Sequence, residues 1–263
     1  GVNNHKGYNI GGNINYSSKW VDAFANLGHR RRRGSGGSLS EQKYPLNDEY
    51  LYSDGDNDNN GRGLFARAGL TFHLSENDDL SVSGMTLHGN RSNDNLTIYR
   101  YGAISTGIDN RILRRQTVGD GDMEMYHGEL GYEHKFSDKH KLNFVFSADQ
   151  WKNDGSNAYL NDTTNLGTNE VHTYSYQYRP MKINNRAMEV KVDYENQLTE
   201  HFKLEAGYNG RFSHENTPQE SWDAVNPTTL NPIPTDLEED RYFYNRFIYD
   251  IDVHALYATV NTK

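Results

Sequence analysis

What this chain of 263 residues lacks already excludes several classes of protein. It has no cysteine, which excludes disulfide scaffolds, thiolate zinc sites and cysteine nucleophiles. No run approaches the roughly 18 apolar residues that a membrane helix needs, so helical membrane proteins are excluded as well. Hydrophobic residues make up only 34% of the chain, which is too little for a large conventional core. Six prolines and 12% aromatic residues argue equally against disorder.

The charge balance is acidic, with 27 basic and 36 acidic side chains and a formal net charge of −9. An acidic chain is repelled by phosphate backbones, so we predict no nucleic-acid partner. The chain starts Gly1-Val2-Asn3 without a signal peptide. This start predicts either a cytoplasmic protein or a piece whose export signal lies upstream.

Apolar and polar residues alternate with period two through most of the chain, as in strands with one apolar face. In residues 188–198, Val190 and Val192 alternate with Glu189 and Lys191. Nine such strands are predicted. They are residues 7–17, 20–33, 63–75, 80–92, 121–136, 141–152, 184–198, 202–214 and 240–259.

Two of these strands carry further predictions. In residues 80–88, Leu80 and Val82 are out of phase with Met85 and Leu87. An extra residue flips the facing of a strand, so we predict a β-bulge near Gly84. The last strand is predicted to present one apolar face, formed by Tyr249, Ile251, Val253, Ala255 and Tyr257.

Tight polar turns alternate with long polar stretches. The turns centre near residues 18, 77, 138, 200 and 262, at intervals of 59, 61, 62 and 62 residues. The long stretches are residues 34–62, 93–120, 153–183 and 215–239. Short periplasmic turns, long extracellular loops and strands that are apolar outside and polar inside are typical of bacterial outer-membrane barrels. The predicted fold class is therefore all-β, an antiparallel meander of about nine strands forming part of a transmembrane outer-membrane β-barrel.

A soluble β-sandwich or propeller explains this pattern less well. Sandwiches place loops of mixed length at both ends, and propeller blades carry four short strands with a repeated motif. Single-chain bacterial barrels have an even number of strands and no open edge, whereas nine is odd. We therefore predict that residues 1–263 are a partial barrel domain, with the plug and the remaining strands absent and the first and last strands not paired.

Particular segments resemble the barrel region of TonB-dependent receptor-like outer-membrane proteins. The resemblance covers nearly the whole chain and rests on strand and turn patterns. The segments that carry the resemblance are Lys203-Leu204-Glu205-Ala206-Gly207-Tyr208-Asn209-Gly210-Arg211, Val192-Asp193-Tyr194, His254-Ala255-Leu256-Tyr257-Ala258, Lys19-Trp20, and Asp54-Gly55-Asp56-Asn57-Asp58 before Gly61-Arg62-Gly63.

The resemblance implies a barrel of twenty-two strands around a plug domain, with energy drawn from the inner-membrane TonB complex. We predict a barrel segment of a receptor that carries a nutrient or chelate across the outer membrane of a Gram-negative cell. Its predicted partners are outer-membrane lipid, lipopolysaccharide, its own plug and the TonB complex. The alternatives are a passive or structural barrel without TonB coupling, or a soluble glycan-binding β-protein.

No catalytic, cofactor or metal site is predicted, and the substrate-binding residues are left unknown. His29 with Arg30, Arg31, Arg32 and Arg33 is either a contact to lipopolysaccharide phosphates or a solvated loop base. Three further groups are candidates for a site. They are Asp54, Asp56 and Asp58 as a calcium loop, which lacks the required Gly and Glu; His127, His134 and His254 as hydrolase residues; and Tyr174, Tyr176 and Tyr178 beside Pro180 as an aromatic girdle or a stacking surface.

The alternation also predicts which side chains face lipid. Alternate residues of two adjacent strands are assigned to the two sides of the barrel wall. Val190, Val192, Leu204 and Ala206 are predicted to meet lipid, and Glu189, Lys191, Lys203 and Glu205 to meet the lumen.

Overall fold

A computed structural model describes residues 7–167 and 169–262 of the chain. Those residues form eleven β-strands. The strands are β1 (Tyr8–Ser17), β2 (Val21–Tyr44), β3 (Glu49–His73), β4 (Asp78–Ala103), β5 (Ile108–Ser137), β6 (His140–Asn165), β7 (Val171–Gln197), β8 (Phe202–Gln219), β9 (Trp222–Ala224), β10 (Leu237–Glu239) and β11 (Asn245–Thr262). Within the described residues there is no helix long and apolar enough to cross a bilayer.

Nine long strands form one antiparallel meander, in the order β1-β2-β3-β4-β5-β6-β7-β8-β11. The short strands β9 and β10 pair with each other, and β9 also pairs with β7. Strands β1 and β11 lie at opposite ends of this order and are not paired in the part of the chain that the structure describes. The predicted nine-strand meander with an open sheet is confirmed.

Strands β2 to β7 are much longer than predicted, and three of the four predicted loops are wrong. Residues 34–62, 93–120 and 153–183 continue the strands on both sides of short turns. Strands β2 and β3, for example, pair without interruption from Val21 with Phe72 to Tyr44 with Glu49. The ladder hydrogen bonds come from the backbone, so these polar segments pair without needing an alternating apolar face.

The fourth predicted loop, residues 215–239, is partly correct. Strand β8 continues to Gln219, and the irregular segment 220–244 that follows contains only the three-residue strands β9 and β10. The predicted short turns are confirmed at residues 18–20, 74–77, 138–139 and 198–201. The sheet therefore has one end with short turns and another with tall hairpins.

The predicted bulge near Gly84 is wrong. Gly84 pairs with Ala68 and with Gly128 in continuous register. The register shifts of the sheet occur instead between Tyr101 and Gly102 and between Lys135 and Ser137. Without a bulge, Met85 and Leu87 lie on the face opposite Leu80 and Val82, where the other strands carry polar residues.

The register defines two continuous faces, named here the apolar face and the polar face. Val192 pairs with Phe144 and Tyr208 on the apolar face. Its neighbour Lys191 pairs with Val145 and Asn209 on the polar face. Side chains of paired residues point to the same side of a sheet. The predicted division between the two groups of residues in the seventh and eighth strands is confirmed by this register.

The predicted facing of the last strand is wrong. Ala255 pairs with Asn209 and Tyr257 pairs with Gly207, which puts both on the polar face. Leu256 and its alternate neighbours Ala258 and Val260 take the apolar face instead. This strand is apolar on both sides near its end, so period-two alternation does not select a face. The register with β8 selects it.

The apolar face is not covered by another layer. Leu130, Met188 and Phe212 keep 39%, 54% and 37% of their surface exposed, and Tyr176 is the one buried hydrophobic residue among those described. A soluble protein rarely leaves an apolar surface of this extent open to water. This exposure argues against the soluble β-protein alternative and fits a sheet that is solvated by lipid.

Candidate functional site on the polar face

Near the short turns, the polar face is held by networks of ion pairs. Lys203 Nζ lies 2.8 Å from Glu195 Oε1 and 2.6 Å from Glu205 Oε1. At the other side of the sheet, His73 bridges two carboxylates, with Nδ1 2.6 Å from Asp79 and Nε2 3.1 Å from Asp22. The charged groups in this region neutralise one another across neighbouring strands.

Farther from the short turns, an apolar row interrupts the polar face. It starts beside Gly28 of β2 and crosses four strands in consecutive register. Its members are Phe65, Leu87, Met125 and Trp151. We name these four residues the apolar row. Because most of this face is polar or charged, four apolar side chains in one continuous row call for an explanation.

Three arginines border the apolar row on the side of the tall hairpins. Arg30 and Arg32 follow it along β2, and Arg91 lies two strands away in the register position of Arg32. None of the three forms an ion pair within residues 7–167 and 169–262, whereas Lys135, Lys141 and Lys203 near the short turns do. We name them the arginine triad.

Glycines fill the positions between these cations. Arg30 pairs with Gly63, which pairs with Gly89; Gly61 lies between Arg32 and Arg91. A side chain is missing at each of these places, so the sheet surface is open there. Phe65, Leu87 and Trp151 of the apolar row, the arginine triad and these glycines line an open cavity of about 730 Å³. We name this cavity and its lining the polar-face site.

The predicted run of four arginines is divided by the strand between the two faces. Arg30 and Arg32 belong to the polar-face site. Arg31 lies on the apolar face, where it pairs with Arg62, and Arg33 Nη2 lies 3.7 Å from Asp58 Oδ2. The run is therefore strand and not the base of a loop.

The predicted calcium-loop aspartates are also in a strand. Asp54, Asp56 and Asp58 project from the same side of β3 at every second residue, which separates neighbours by about 7 Å. No group of three or more potential metal ligands was found among the described residues.

The three histidines considered for hydrolysis lie apart, each with its own partner. Nδ1 of His127 is 2.7 Å from Asp149, and Nδ1 of His134 is 2.7 Å from Asp78. His254 Nδ1 lies 2.7 Å from the hydroxyl of Tyr208 on the apolar face. The structure does not bring these histidines together.

The tyrosine stripe lies far from the apolar band. Tyr174, Tyr176 and Tyr178 share the apolar side of β7, but Tyr178 is ten residues beyond Met188, or about 33 Å along the strand. That separation does not fit a girdle bordering the lipid. Tyr176 is instead buried, and burial raises the pKa of its phenol. The stripe packs beside β9, whose Trp222 pairs with Tyr178.

The polar-face site was not predicted, although the sequence contains a signal for it. Met85 and Leu87 are out of phase with Leu80 and Val82, a conflict that the predicted bulge would remove. The same phase conflict, taken literally, puts apolar side chains on the polar face. Phe65 shows the same phase conflict, because it is apolar and lies between the apolar residues Leu64 and Ala66.

Together the continuous register, the exposed apolar face and the charged opposite face define a section of an outer-membrane β-barrel wall. Comparison with protein families gives the same class. Residues 134–263, just under half of the chain, match a family described as the outer membrane protein beta-barrel family. The match indicates an outer-membrane location. Comparisons with curated proteins and with solved structures gave no match.

Proposed function

We propose that this chain is part of the barrel of a TonB-dependent outer-membrane receptor, which carries a nutrient or chelate into a Gram-negative cell. The observation behind this proposal is the polar-face site, a cavity of about 730 Å³ whose arginines have no ion pair among the described residues. Pockets of this size accommodate small organic ligands. The sheet edges, which are not paired within the described part of the chain, support a larger barrel, because each unsatisfied backbone group in hydrocarbon costs several kcal/mol. In this proposal a plug domain and the TonB complex are partners.

Growth and uptake measurements test the proposal. A deletion strain of the source bacterium should fail to grow when a ferric chelate or another single nutrient is limiting, and complementation should restore growth. A protonophore should stop uptake of that nutrient in the parent strain while its binding to the cell surface persists. Uptake that continues after protonophore treatment would favour the passive barrel. A deletion without effect on any nutrient would refute both transport functions.

We also propose that the tall hairpins are extracellular and that the short turns are periplasmic. Proteinase K added to intact cells should then cleave within the irregular segment 220–244 and spare the turns at 74–77 and 198–201. The long paired strands should resist, because their backbones are held in ladders. Mapping the fragments by mass spectrometry gives the cleavage sites. Cleavage at the short turns in intact cells would reverse the proposed orientation.

We further propose that the apolar face binds lipopolysaccharide phosphate through Arg31 and Arg62. These two arginines are directly opposite each other on neighbouring strands, just beyond the row that contains His29 and Leu64. Like charges placed opposite each other destabilise a sheet unless an anion lies between them. Guanidinium groups bind phosphate with two hydrogen bonds, and an apolar groove beside them, lined by small residues such as Ala66, can accept acyl chains.

The double variant Arg31→Ala/Arg62→Ala should purify with several-fold less bound lipopolysaccharide than the parent protein. Arg114→Ala is the matched control, because Arg114 is also on the apolar side but is twelve residues beyond Tyr126. Phosphate content per protein measures the effect after extraction in mild detergent. Equal phosphate content in the double variant and the parent would rule out this contact.

A further inference from the structure

We propose that the polar-face site binds a small amphipathic anion, an organic ring system that carries a phosphate or carboxylate group. The inference rests on the proposed receptor function and names the chemical class of its ligand. The apolar row would receive the ring system, and the arginine triad would receive the anionic group.

The spacing of the two parts fits one small molecule. Arg32 and Arg91 are two strands apart, which separates their Cα atoms by about 10 Å. Along β2, Arg30 is two residues nearer the apolar row than Arg32 is. Gly28, which pairs with Phe65 of that row, is two residues beyond Arg30. One such step along a strand is about 7 Å. Phe65 is one strand and two residues from Arg30, which separates their Cα atoms by about 8 Å. A ligand that reaches from Phe65 to the triad is therefore of ordinary metabolite size.

The charge of the surface selects an anion. Ion pairs hold Lys135, Lys141 and Lys203 near the short turns, but the arginine triad has none among the described residues. Planar guanidinium groups bind phosphate and carboxylate with two parallel hydrogen bonds, and they also stack on rings. The three arginines line one cavity, and no carboxylate of the described residues neutralises their positive charge.

The floor between the cations is open because it is built of glycine. A Cβ atom placed on Gly63 would have no neighbour nearer than the carbonyl oxygen of His88 at 3.8 Å. On Gly121 it would lie 3.7 Å from Nε of Arg91, so that guanidinium lies flat along the sheet. A ligand can therefore approach the backbone between the arginines without displacing a side chain.

A small ligand explains this surface better than a peptide segment does. The backbone groups of β3 to β6 are already engaged in ladder hydrogen bonds on both sides of each strand. An extended peptide could not add a strand between them, which removes the main-chain contribution of that mode of binding over these strands. Ring stacking next to an anion site needs only the side chains that are present.

Isothermal titration calorimetry on the full chain in phosphatidylcholine nanodiscs tests the proposal with three probes. These are 1-naphthyl phosphate, which has a ring and an anion, 1-naphthol, which has only the ring, and inorganic phosphate, which has only the anion. We expect 1-naphthyl phosphate to bind at least about tenfold more tightly than either other probe, because both halves of the site contribute. Equal affinities for the phosphate ester and the alcohol would refute the anion site. Binding of none of the probes would refute the whole proposal and favour a surface covered by another part of the protein.

Variants locate the binding. Arg91→Ala and Trp151→Ala should each weaken binding of 1-naphthyl phosphate by about tenfold, because one loses charge-assisted hydrogen bonds and the other loses the ring contact. Trp151→Phe should recover part of the affinity. Gly63→Leu fills the floor without removing charge and should also weaken binding about tenfold. Arg114→Ala, distant from the site, is the matched control, and circular dichroism verifies the β-structure of each variant.

The outcomes separate this inference from the receptor function. Variants that bind the probe like the parent protein would refute the site even if the deletion strain still lost nutrient uptake. Conversely, binding that depends on Arg91 and Trp151, in a protein whose deletion affects no nutrient, would support the site and refute the receptor function.

Discussion

Val192→Arg is expected to destabilise the barrel by about 2–4 kcal/mol, and Lys191→Arg by far less. Val192 lies between Phe144 and Tyr208 on the apolar face, where lipid cannot solvate a guanidinium. The side chain of Lys191 is on the polar face and its Nζ lies 2.9 Å from Asp193. Arginine at position 191 keeps this ion pair and the same charge.

The two variants form a matched pair, since they introduce the same residue at adjacent positions of one strand. Denaturant unfolding in lipid vesicles, followed by tryptophan fluorescence, gives the difference in the free energy of unfolding. The amount of each variant that assembles in the outer membrane of cells, relative to the unmutated protein, gives an independent measurement. Equal losses at the two positions would overturn the assignment of the faces, and a larger loss at position 191 would reverse it.

Gly69→Ala is expected to lower the free energy of unfolding by about 1–3 kcal/mol, a large effect for one methyl group. The ring of Phe24 covers Gly69 on the polar face, and a Cβ atom there would lie 2.5 Å from Cε1 of Phe24 and 3.0 Å from Cβ of Ser83. The guanidinium of Arg67 packs over the same ring at 5.2 Å from its centre. A methyl group at residue 69 therefore displaces the ring and its cation.

Gly128→Ala is the control for this change, because a Cβ atom there meets nothing within 4 Å. Replacing glycine by alanine at an open strand position should be neutral or slightly stabilising, since glycine loses more conformational entropy on folding. In a double-mutant cycle, Phe24→Leu should reduce the cost of Gly69→Ala by about 1 kcal/mol. Additive effects of the two changes, measured by the same unfolding assay, would show that the ring does not rest on the glycine.

The order of the strands was predictable where alternation and turn signals agree. Residues 188–198 show both, and their partners and facing are correct. The hairpins beyond the apolar band were not predictable in the same way. A segment such as residues 34–62 has no apolar face, since both its sides are in water, and its pairing comes from backbone hydrogen bonds that leave no periodic trace in the sequence.

The site was harder to predict than the fold because it breaks the rule that reveals the fold. Leu87 and Phe65 are apolar residues at positions where the alternation predicts polar ones. From the sequence alone, such a mismatch suggests a β-bulge and not a site. The last strand failed for a related reason. Its two faces are both apolar around Leu256, and only its pairing with β8 determines that Tyr257 covers Gly207.

The unbroken ladder between β2 and β3, which continues through all 24 residues of β2, has a mechanical consequence. A single layer of long strands is stiff along the strands, because stretching it would break hydrogen bonds. Across the strands it bends easily, because a change in the twist between neighbours leaves those bonds in place. The cross-section of such a barrel can therefore change between round and oval while its rim stays at a constant height above the bilayer.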